Sequence, residues 1–346
     1  MTRPHDHFVQ TAVEVVSDDF ALTNGGRIFA GLWGADPGRS ELAKLLMASL
    51  MQSHDPKYRE FLSGGEEASA PAPAPAASIA SRPVYVRPNG DPYYARKWGK
   101  YWDVDVLKDA RNILQFPLLH GPPGTGKTAM AESAFGEELV TIVISAETTT
   151  DELVGSFIPD GHGGYEWVDG PLLVAVKEGR PILVDEILLG DPKMLSVLYP
   201  LMDGRGFMTV TENPKIGKTF AKEGFFLIGT GNPNVPGAKM SEALSSRFPL
   251  QVEVTTDFEL AEALGADQTL VTYAKALAGY ASGLSPTISW APQFREVMAF
   301  GKLAAQWGDE FAINNLLRTV PRRDLETVRR LARTTWPTLD LSAAKI

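Results

Sequence analysis

"LLHGPPGTGKTAM", residues 118–130, decides how the rest of the chain is read. An apolar run ends at His120, a glycine-rich turn follows, and Lys127-Thr128 opens a stretch of helix-forming residues. The spacing G-x-x-x-x-G-K-[ST] is met by Gly121, Gly126, Lys127 and Thr128. Glycines there let successive backbone N–H groups turn inward with no Cβ in the way, and the helix N-terminus adds partial positive charge. The stretch Gly121, Pro122, Pro123, Gly124, Thr125, Gly126, Lys127, Thr128 and Ala129 therefore reads as a seat for phosphates. Lys127 is expected to reach the β- and γ-phosphates of a nucleoside triphosphate, and the Thr128 hydroxyl to bind Mg²⁺. A glycine loop serving only as a turn is the alternative, and the strand before it and helix after it weigh against that.

Working outward, short apolar runs alternate with helical patterns. "ILQFPLLH" (113–120), "LVTIVIS" (139–145), "PILVDE" (181–186), "FFLIGTGN" (225–232) and "PLQVEV" (249–254) read as five strands. Runs apolar on both faces imply a parallel sheet covered by helices on each side. Beyond about residue 256 the pattern turns helical, as in "APQFREVMAFGKLAAQWG" and "DLETVRRLARTTW".

In such a sheet ligands sit at the carboxyl ends of the strands. "PILVDEI" puts Asp185 and Glu186 there. Asp185 is expected to hold Mg²⁺ through water, and Glu186 to orient and deprotonate an attacking water. Strand-end acids that merely face solvent are the alternative. "GTGNPN" brings Asn232 to the same edge, suited to the γ-phosphate or the water, or else used for its turn propensity before Pro233. "EALSSRF" presents Arg247 before the fifth strand, either as a structural ion pair or as the cation that phosphoryl transfer takes from a neighbouring subunit.

Upstream, "RSELAKLLMASLMQS" carries Leu42, Leu45, Leu46, Leu50 and Met51 at helical spacing, within a small helical element over 1–63. The Ala/Pro-rich segment 64–82 has too few bulky side chains to order itself and reads as a linker. In "PVYVRPNGDPYYARKWGKYW", Asn89-Gly90 marks a hairpin with a type I′ turn. Its basic and aromatic residues (Arg87, Arg96, Lys97, Lys100; Tyr93, Tyr94, Trp98, Tyr101, Trp102) either pack on the following domain or stack nucleic-acid bases.

Composition narrows the classes. With no cysteine among 346 residues, disulfides and thiolate metal sites are excluded, so a metal should be oxygen-bound. A formal charge of -9 argues against a surface built wholly for nucleic acid. No run approaches eighteen apolar residues and acids interrupt the N-terminus, so a cytoplasmic location with no membrane contact is expected.

These elements, in this order, resemble an AAA+ ATPase, and more narrowly the MoxR-like group with the dynein-related AAA domain. The resemblance runs from about residue 85 to 300: "GPPGTGKT" looks like Walker A, "ILVDE" like Walker B, "IGTGNPN" like sensor 1 and "LSSRF" like the arginine-finger segment. "SFIPDGHGGYEWVDG" is similar to the helix-2 insert and "GFMTVTENPKIGKTFAKEGFF" to the pre-sensor-1 hairpin, turning at Gly161–Gly164 and near Asn213–Gly217.

The resemblance implies an α/β P-loop core with strand order 5-1-4-3-2 over 83–255 and an all-helical lid over 256–346. It implies ATP and Mg²⁺ as ligands, Glu186, Asn232 and Arg247 in catalysis, and a homo-oligomeric ring, the hexamer usual in the family. The lid lacks the family's Ser-Pro-Arg or Ser-Thr-Arg, and in "SWAPQFREVMAF" Arg295 is the carry-over for sensor 2, with Arg322 and Arg323 competing. His162, Tyr165, Trp167, Lys215 and Lys218 on the hairpins are candidates for client contact, or plain solvated turn residues.

Three functions follow. The first is a ring ATPase that remodels a protein partner, a von Willebrand factor A domain protein being the implied class. The second is a nucleic-acid-associated motor or restriction-type translocating subunit. The third is a nucleotide-dependent scaffold with little turnover, which the presence of Lys127, Glu186 and Arg247 disfavours.

Overall fold

The computed structural model describes residues 79, 81–282 and 286–342. The element expected at 1–63, and the linker at 64–82 apart from residues 79, 81 and 82, lie outside the described residues.

Five parallel strands form the central sheet: β1 (Pro117–His120), β2 (Val140–Val143), β3 (Pro181–Asp185), β4 (Phe226–Gly231) and β5 (Leu250–Glu253). Their order is β5-β1-β4-β3-β2, the order the resemblance implies. Composition follows position in the sheet. All six residues of β4 are buried, as a strand flanked on both edges and covered on both faces requires. The edge strand β2 instead alternates half-buried and exposed positions. Register pairs Leu227 with Ile182, Gly231 with His120 and Val143 with Asp185, so the carboxyl ends of β1, β2, β3 and β4 gather along one edge.

β1 begins later than its apolar run. Helix α1 (Asp103–Asn112) ends in a left-handed residue, Leu114, with φ 50. Gln115 N–H donates to Ala110 O and Leu114 N–H to Arg111 O, the paired bonds that close a helix carboxyl terminus. Ile113 and Leu114 are consequently turned outward, 66% and 58% exposed, and the strand starts only at Pro117.

The core is built on β4. Phe226 is fully buried, with Phe116 at 5.8 Å and Phe135 at 5.9 Å between ring centroids. Helix α2 (Lys127–Phe135) contributes Met130 and Ala131, and α3 (Pro171–Glu178) buries Leu172, Leu173 and Val176. Each such large apolar side chain stabilises the fold by roughly 1.5–3 kcal/mol relative to exposure. The resulting slab fixes the carboxyl edge on which the glycine loop sits.

Four small hairpins decorate the unit. Strands Val84–Val86 and Pro92–Tyr94 pair through a turn that differs from the type I′ expected. Gly90 N–H donates to Arg87 O, so Pro88 and Asn89 occupy the turn centre, and Gly90 alone takes positive φ, 85. A type I′ turn needs positive φ at both central residues, and the proline ring locks Pro88 to negative φ, which fits a type I turn followed by a left-handed glycine. Lys97–Trp98 pairs with Tyr101–Trp102, Gly155–Pro159 with Tyr165–Asp169, and Phe207–Val210 with Gly217–Phe220. The last two are the hairpins expected around Gly161–Gly164 and Asn213–Gly217.

From Phe258 onward the described chain is helical, with α4 (Gln268–Ser282), α5 (Phe294–Trp307), α6 (Asp309–Arg318) and α7 (Leu325–Thr335). Contacts divide the described residues into two compact units: those within 75–271 together with 293–312, and those within 272–292 together with 313–342. Within the second unit, Tyr273 donates to Val328 O at 2.8 Å and stacks edge-on with Trp336, while buried Asp324 accepts from Ser289 N and Oγ. No helix of the described residues is long and apolar enough to cross a membrane.

Candidate nucleotide-binding site

The glycine loop leaves β1 at His120, where Gly121 N–H donates to Gly231 O at 3.1 Å and ties the loop to β4. Its last residue, Gly126, has φ 91 and caps α2, a conformation side-chain-bearing residues rarely adopt. Thr125 is buried, its Oγ1 donating to Pro122 O; Pro123 is exposed; and Ala129 O accepts from Ser133 Oγ within the first turns of α2.

Lys127 is buried, and its Nζ donates to Gly121 O at 2.9 Å and Pro122 O at 2.8 Å. Burial holds the ammonium below its ordinary pKa, opposed by the charges of Glu186 and Asp185 and reinforced by Arg295. A buried cation whose hydrogen bonds go only to neutral carbonyls, at the head of a helix, is suited to an anion.

Asp185 ends β3 and is tied on both oxygens: Oδ2 accepts from Thr128 Oγ1 at 3.3 Å, and Oδ1 from Thr230 Oγ1. Thr230 Oγ1 also accepts from Glu186 N–H at 3.1 Å. Glu186 lies in the left-handed region, φ 56 and ψ 35, which costs a non-glycine residue on the order of 1–3 kcal/mol. Such strain persists where the surroundings impose it, and here the Thr230 bond and the tight turn after β3 do so. The hydroxyl of Thr128 beside the carboxylate of Asp185 is a hard-oxygen pair, the donor chemistry Mg²⁺ takes when phosphates and water complete its shell. Among the described residues no group of three or more His, Cys, Asp or Glu is placed to hold a metal unaided.

Asn232 follows β4 at the same edge and is buried, but its Oδ1 accepts from Asn234 N–H at 3.1 Å. The turn role is therefore realised. Arg295, at the start of α5, is brought against the loop: its N–H donates to Gly124 O at 3.3 Å, and a Cβ on Gly124 would lie 3.0 Å from the Arg295 Cβ. Arg323, in the other unit, is 74% exposed and donates to Ser289 Oγ.

Arg247 lies apart from this cluster. It donates through Nη1 to Ala243 O at 2.6 Å, stacks on the Tyr199 ring at 4.1 Å, and stands 3.8 Å from Asp203. It lines a pocket with Leu114, Gln115, Phe116 and Pro249, at the amino ends of β1 and β5, and with Met202 at the end of the short helix Tyr199–Met202. At about 3.3 Å per residue, a four-residue strand separates the two edges by roughly 13 Å.

Among the hairpin residues, Tyr165 is 72% exposed and His162 and Lys215 are exposed. Trp167 is half-buried, donating to Asp169 Oδ1 and meeting Phe157 edge-on, and Lys218 Nζ sits over Phe207 at 3.9 Å. The basic and aromatic segment divides: Tyr93 is buried and Arg96 turns inward to the glycine loop, whereas Trp98 and Tyr101 stay exposed. Sequence reasoning missed two site residues. Thr230 was discoverable as a hydroxyl inside an apolar strand, which must find a partner when buried; Arg96 carried no comparable signal.

Residues 117–248 match the family model of the AAA domain, dynein-related subfamily. This segment is an AAA domain. The match covers the loop and four of the five strands, ending before β5, and less than half of the chain. An uncharacterised protein of Staphylococcus epidermidis is 33% identical over 158 residues, 42% of this chain and 59% of that protein. Midasin of Giardia intestinalis is 38% identical over 124 residues, 35% of this chain and 2% of midasin. Among solved structures, NtrX from Brucella abortus in complex with ADP is 16% identical with a TM-score of 0.38, covering 69% of this chain and 62% of that one. Similarity to an AAA domain, an ATPase-type nucleotide-binding domain, is therefore shown for residues 117–248, and the chain spans about three fifths of that staphylococcal relative's length.

Proposed function

We propose that this chain is a Mg²⁺-dependent ATPase of the MoxR-like group, acting in the cytoplasm as a homo-oligomeric ring, six-membered as in the family, that remodels a protein client. A von Willebrand factor A domain protein is the client class the resemblance implies. The roles of individual residues, and the domain limits 83–255 and 256–346, are part of this proposal.

The observation that carries the reading is the position of Arg247. The phosphate seat is furnished within one subunit by Lys127, Thr128, Asp185, Glu186 and Arg295, yet the arginine best suited to phosphoryl transfer sits at the opposite edge of the sheet. A site completed by the neighbour's Arg247 accounts for both facts, and a closed ring completes every site equally.

In the mechanism, Lys127 holds the terminal phosphates, and Thr128 and Asp185 would hold Mg²⁺, which when bound would neutralise charge on the phosphate oxygens. Glu186 orients a water and takes its proton, fixed in its left-handed turn by the bond from its N–H to Thr230. Asn232 offers its side-chain nitrogen to the γ-phosphate or that water, and Arg295 follows the phosphates from α5. The exposed Tyr165 and His162 are placed to meet a client. The nucleic-acid motor gains less support, because Arg96 and Tyr93, two of the residues it would use, face the glycine loop and the core.

The test is steady-state phosphate release with ATP and Mg²⁺, comparing the natural protein with Glu186→Gln. The variant should bind ATP as tightly while turnover falls ~10²-fold or more, the usual worth of a general base. Equal turnover in the two proteins rejects Glu186 as the base. The ATP-held variant also serves for capture from lysate: a partner that survives nuclease treatment supports protein remodelling, and one lost to nuclease supports the motor.

A further inference from the structure

Arg96 is held by more partners than its place in an exposed hairpin segment requires. Its Nη1 donates to Thr125 O at 2.9 Å and to Thr255 O at 3.3 Å. Its Nε lies 3.3 Å from Asp103 Oδ2 and 3.2 Å from the Tyr93 hydroxyl, which also accepts from Nη2 at 3.1 Å. Asp103 is itself buried and fully used, with Oδ2 accepting from Tyr93 OH and Oδ1 from the N–H groups of Arg96 and Val104. Burial works against the guanidinium's charge, but Tyr93 and Asp103 outweigh it and hold its pKa above the ordinary value. The cation is permanent, and it is anchored on one side to a buried carboxylate and on the other to the glycine loop.

The loop atom it grips matters. Thr125 C=O and Gly126 N–H belong to one peptide unit, and in a trans peptide the two point in opposite directions. Fixing the carbonyl toward Arg96 therefore fixes the Gly126 N–H away from it. This peptide is free to rotate, because Gly126, at φ 91, has no Cβ to resist the alternative orientation. A rotated peptide would present a carbonyl oxygen where a phosphate seat needs an N–H donor. The nearest heavy atom to a Cβ built on Gly126 is Arg96 Nη2, at 3.7 Å, so the guanidinium stands directly behind this turn.

We propose that Arg96 is a positioning residue for the phosphate seat: it locks the Thr125–Gly126 peptide with its N–H on the ligand side, using Asp103 and Tyr93 as its anchor. The proposal rests on the reading of the glycine loop as a triphosphate site. It assigns the segment 93–103 a function in nucleotide affinity, in place of base stacking. Because the lock acts on the loop and touches no reacting atom, ATP and ADP should depend on it alike, while the chemical step at saturation should not.

The decisive variant is Arg96→Lys. A lysine keeps the positive charge beside Asp103, but a single ammonium cannot copy the planar fork that spans Asp103, Tyr93 and two carbonyls. It should keep the wild-type thermal unfolding midpoint to within a few degrees. It should weaken both ATP and ADP by ~10- to 100-fold in calorimetric titration, the worth of one charge-assisted hydrogen bond, with KM raised and kcat at saturation within about twofold. Arg96→Ala with Asp103→Asn removes the buried charge pair together and should show the same loss of affinity. Wild-type affinity in either folded variant overturns the proposal, as does a loss confined to kcat. Wild-type protein and Lys127→Ala are titrated alongside: no ATP binding by the wild type rejects the triphosphate site itself, a result distinct from tight binding that Arg96→Lys leaves unchanged.

Discussion

At the carboxyl edge of the sheet, Lys127 is buried, Asp185 is tied on both oxygens, and Arg295 and Arg96 close on the loop from either side. At the amino edge, Arg247 rests on a tyrosine ring and one carbonyl, beside an aspartate shared with Arg205, and its Nε is buried with no partner among the described residues. The first edge is organised within one chain, with its charged groups already held by hydrogen bonds. The second has a cation in a cleft with hydrogen-bonding capacity unmet, as a group does whose working partner comes from elsewhere. On the proposed reading, the contrast separates binding, for which one chain suffices, from hydrolysis, which needs a neighbour.

The largest expected effect breaks that contrast at the amino edge. Arg247→Ala should bind ATP with wild-type affinity yet lose turnover by ~10³-fold or more, as removal of a trans-acting arginine does. Mixed with Glu186→Gln subunits, it should regain activity, because each defect then lies on a different side of a shared interface. Phosphate release in such mixtures checks this, and no recovery at any mixing ratio places Arg247 in a structural role. At the carboxyl edge, Lys127→Ala should weaken ATP by ~100-fold or more, the loss of two charge-assisted hydrogen bonds to phosphate, read by calorimetric titration. Unchanged affinity there would remove the phosphate seat from the loop.

Much of the carboxyl edge was legible in the sequence because its chemistry is local in the chain. The glycine spacing, the lysine and the strand-end acids are each contiguous, and the apolar runs of β3 and β4 report full burial directly. The sheet order came through the family resemblance, since runs of apolar residues do not state which strand lies beside which. What stayed hidden depends on contacts between distant residues. Arg96 reaches Thr125 across 29 positions, and nothing in "YYARKWGKYW" says that its arginine turns inward while its Trp98 stays out. The late start of β1 was masked for a related reason: Ile113 and Leu114 look like strand residues, and only the closing hydrogen bonds of α1 turn them outward. The type I′ turn misread at Asn89-Gly90 came from weighing the dipeptide without the proline before it.

The smallest effect sharpens the comparison. Hydrogen bonds from Arg205, with the charge of Arg247 adding to them, hold the Asp203 carboxyl at about 2, below the ordinary carboxylate value of 3.8. A depressed carboxylate supports its ion pairs at every pH above its unfolded value, and they are lost only as pH falls through about 2. Between pH 8 and 5 Asp203 therefore stays charged, and any change of turnover in that window belongs to other groups. Because the pair is partly exposed, Asp203→Ala should alter turnover by no more than about fivefold, the worth of a surface ion pair, with Tyr199 and Ala243 O still holding Arg247. The check is phosphate release per subunit at protein concentrations where the proposed ring is assembled. A fall as large as that of Arg247→Ala would mean that Asp203 sets the arginine's working position, and the amino edge would then be as fully organised within the single chain as the carboxyl edge.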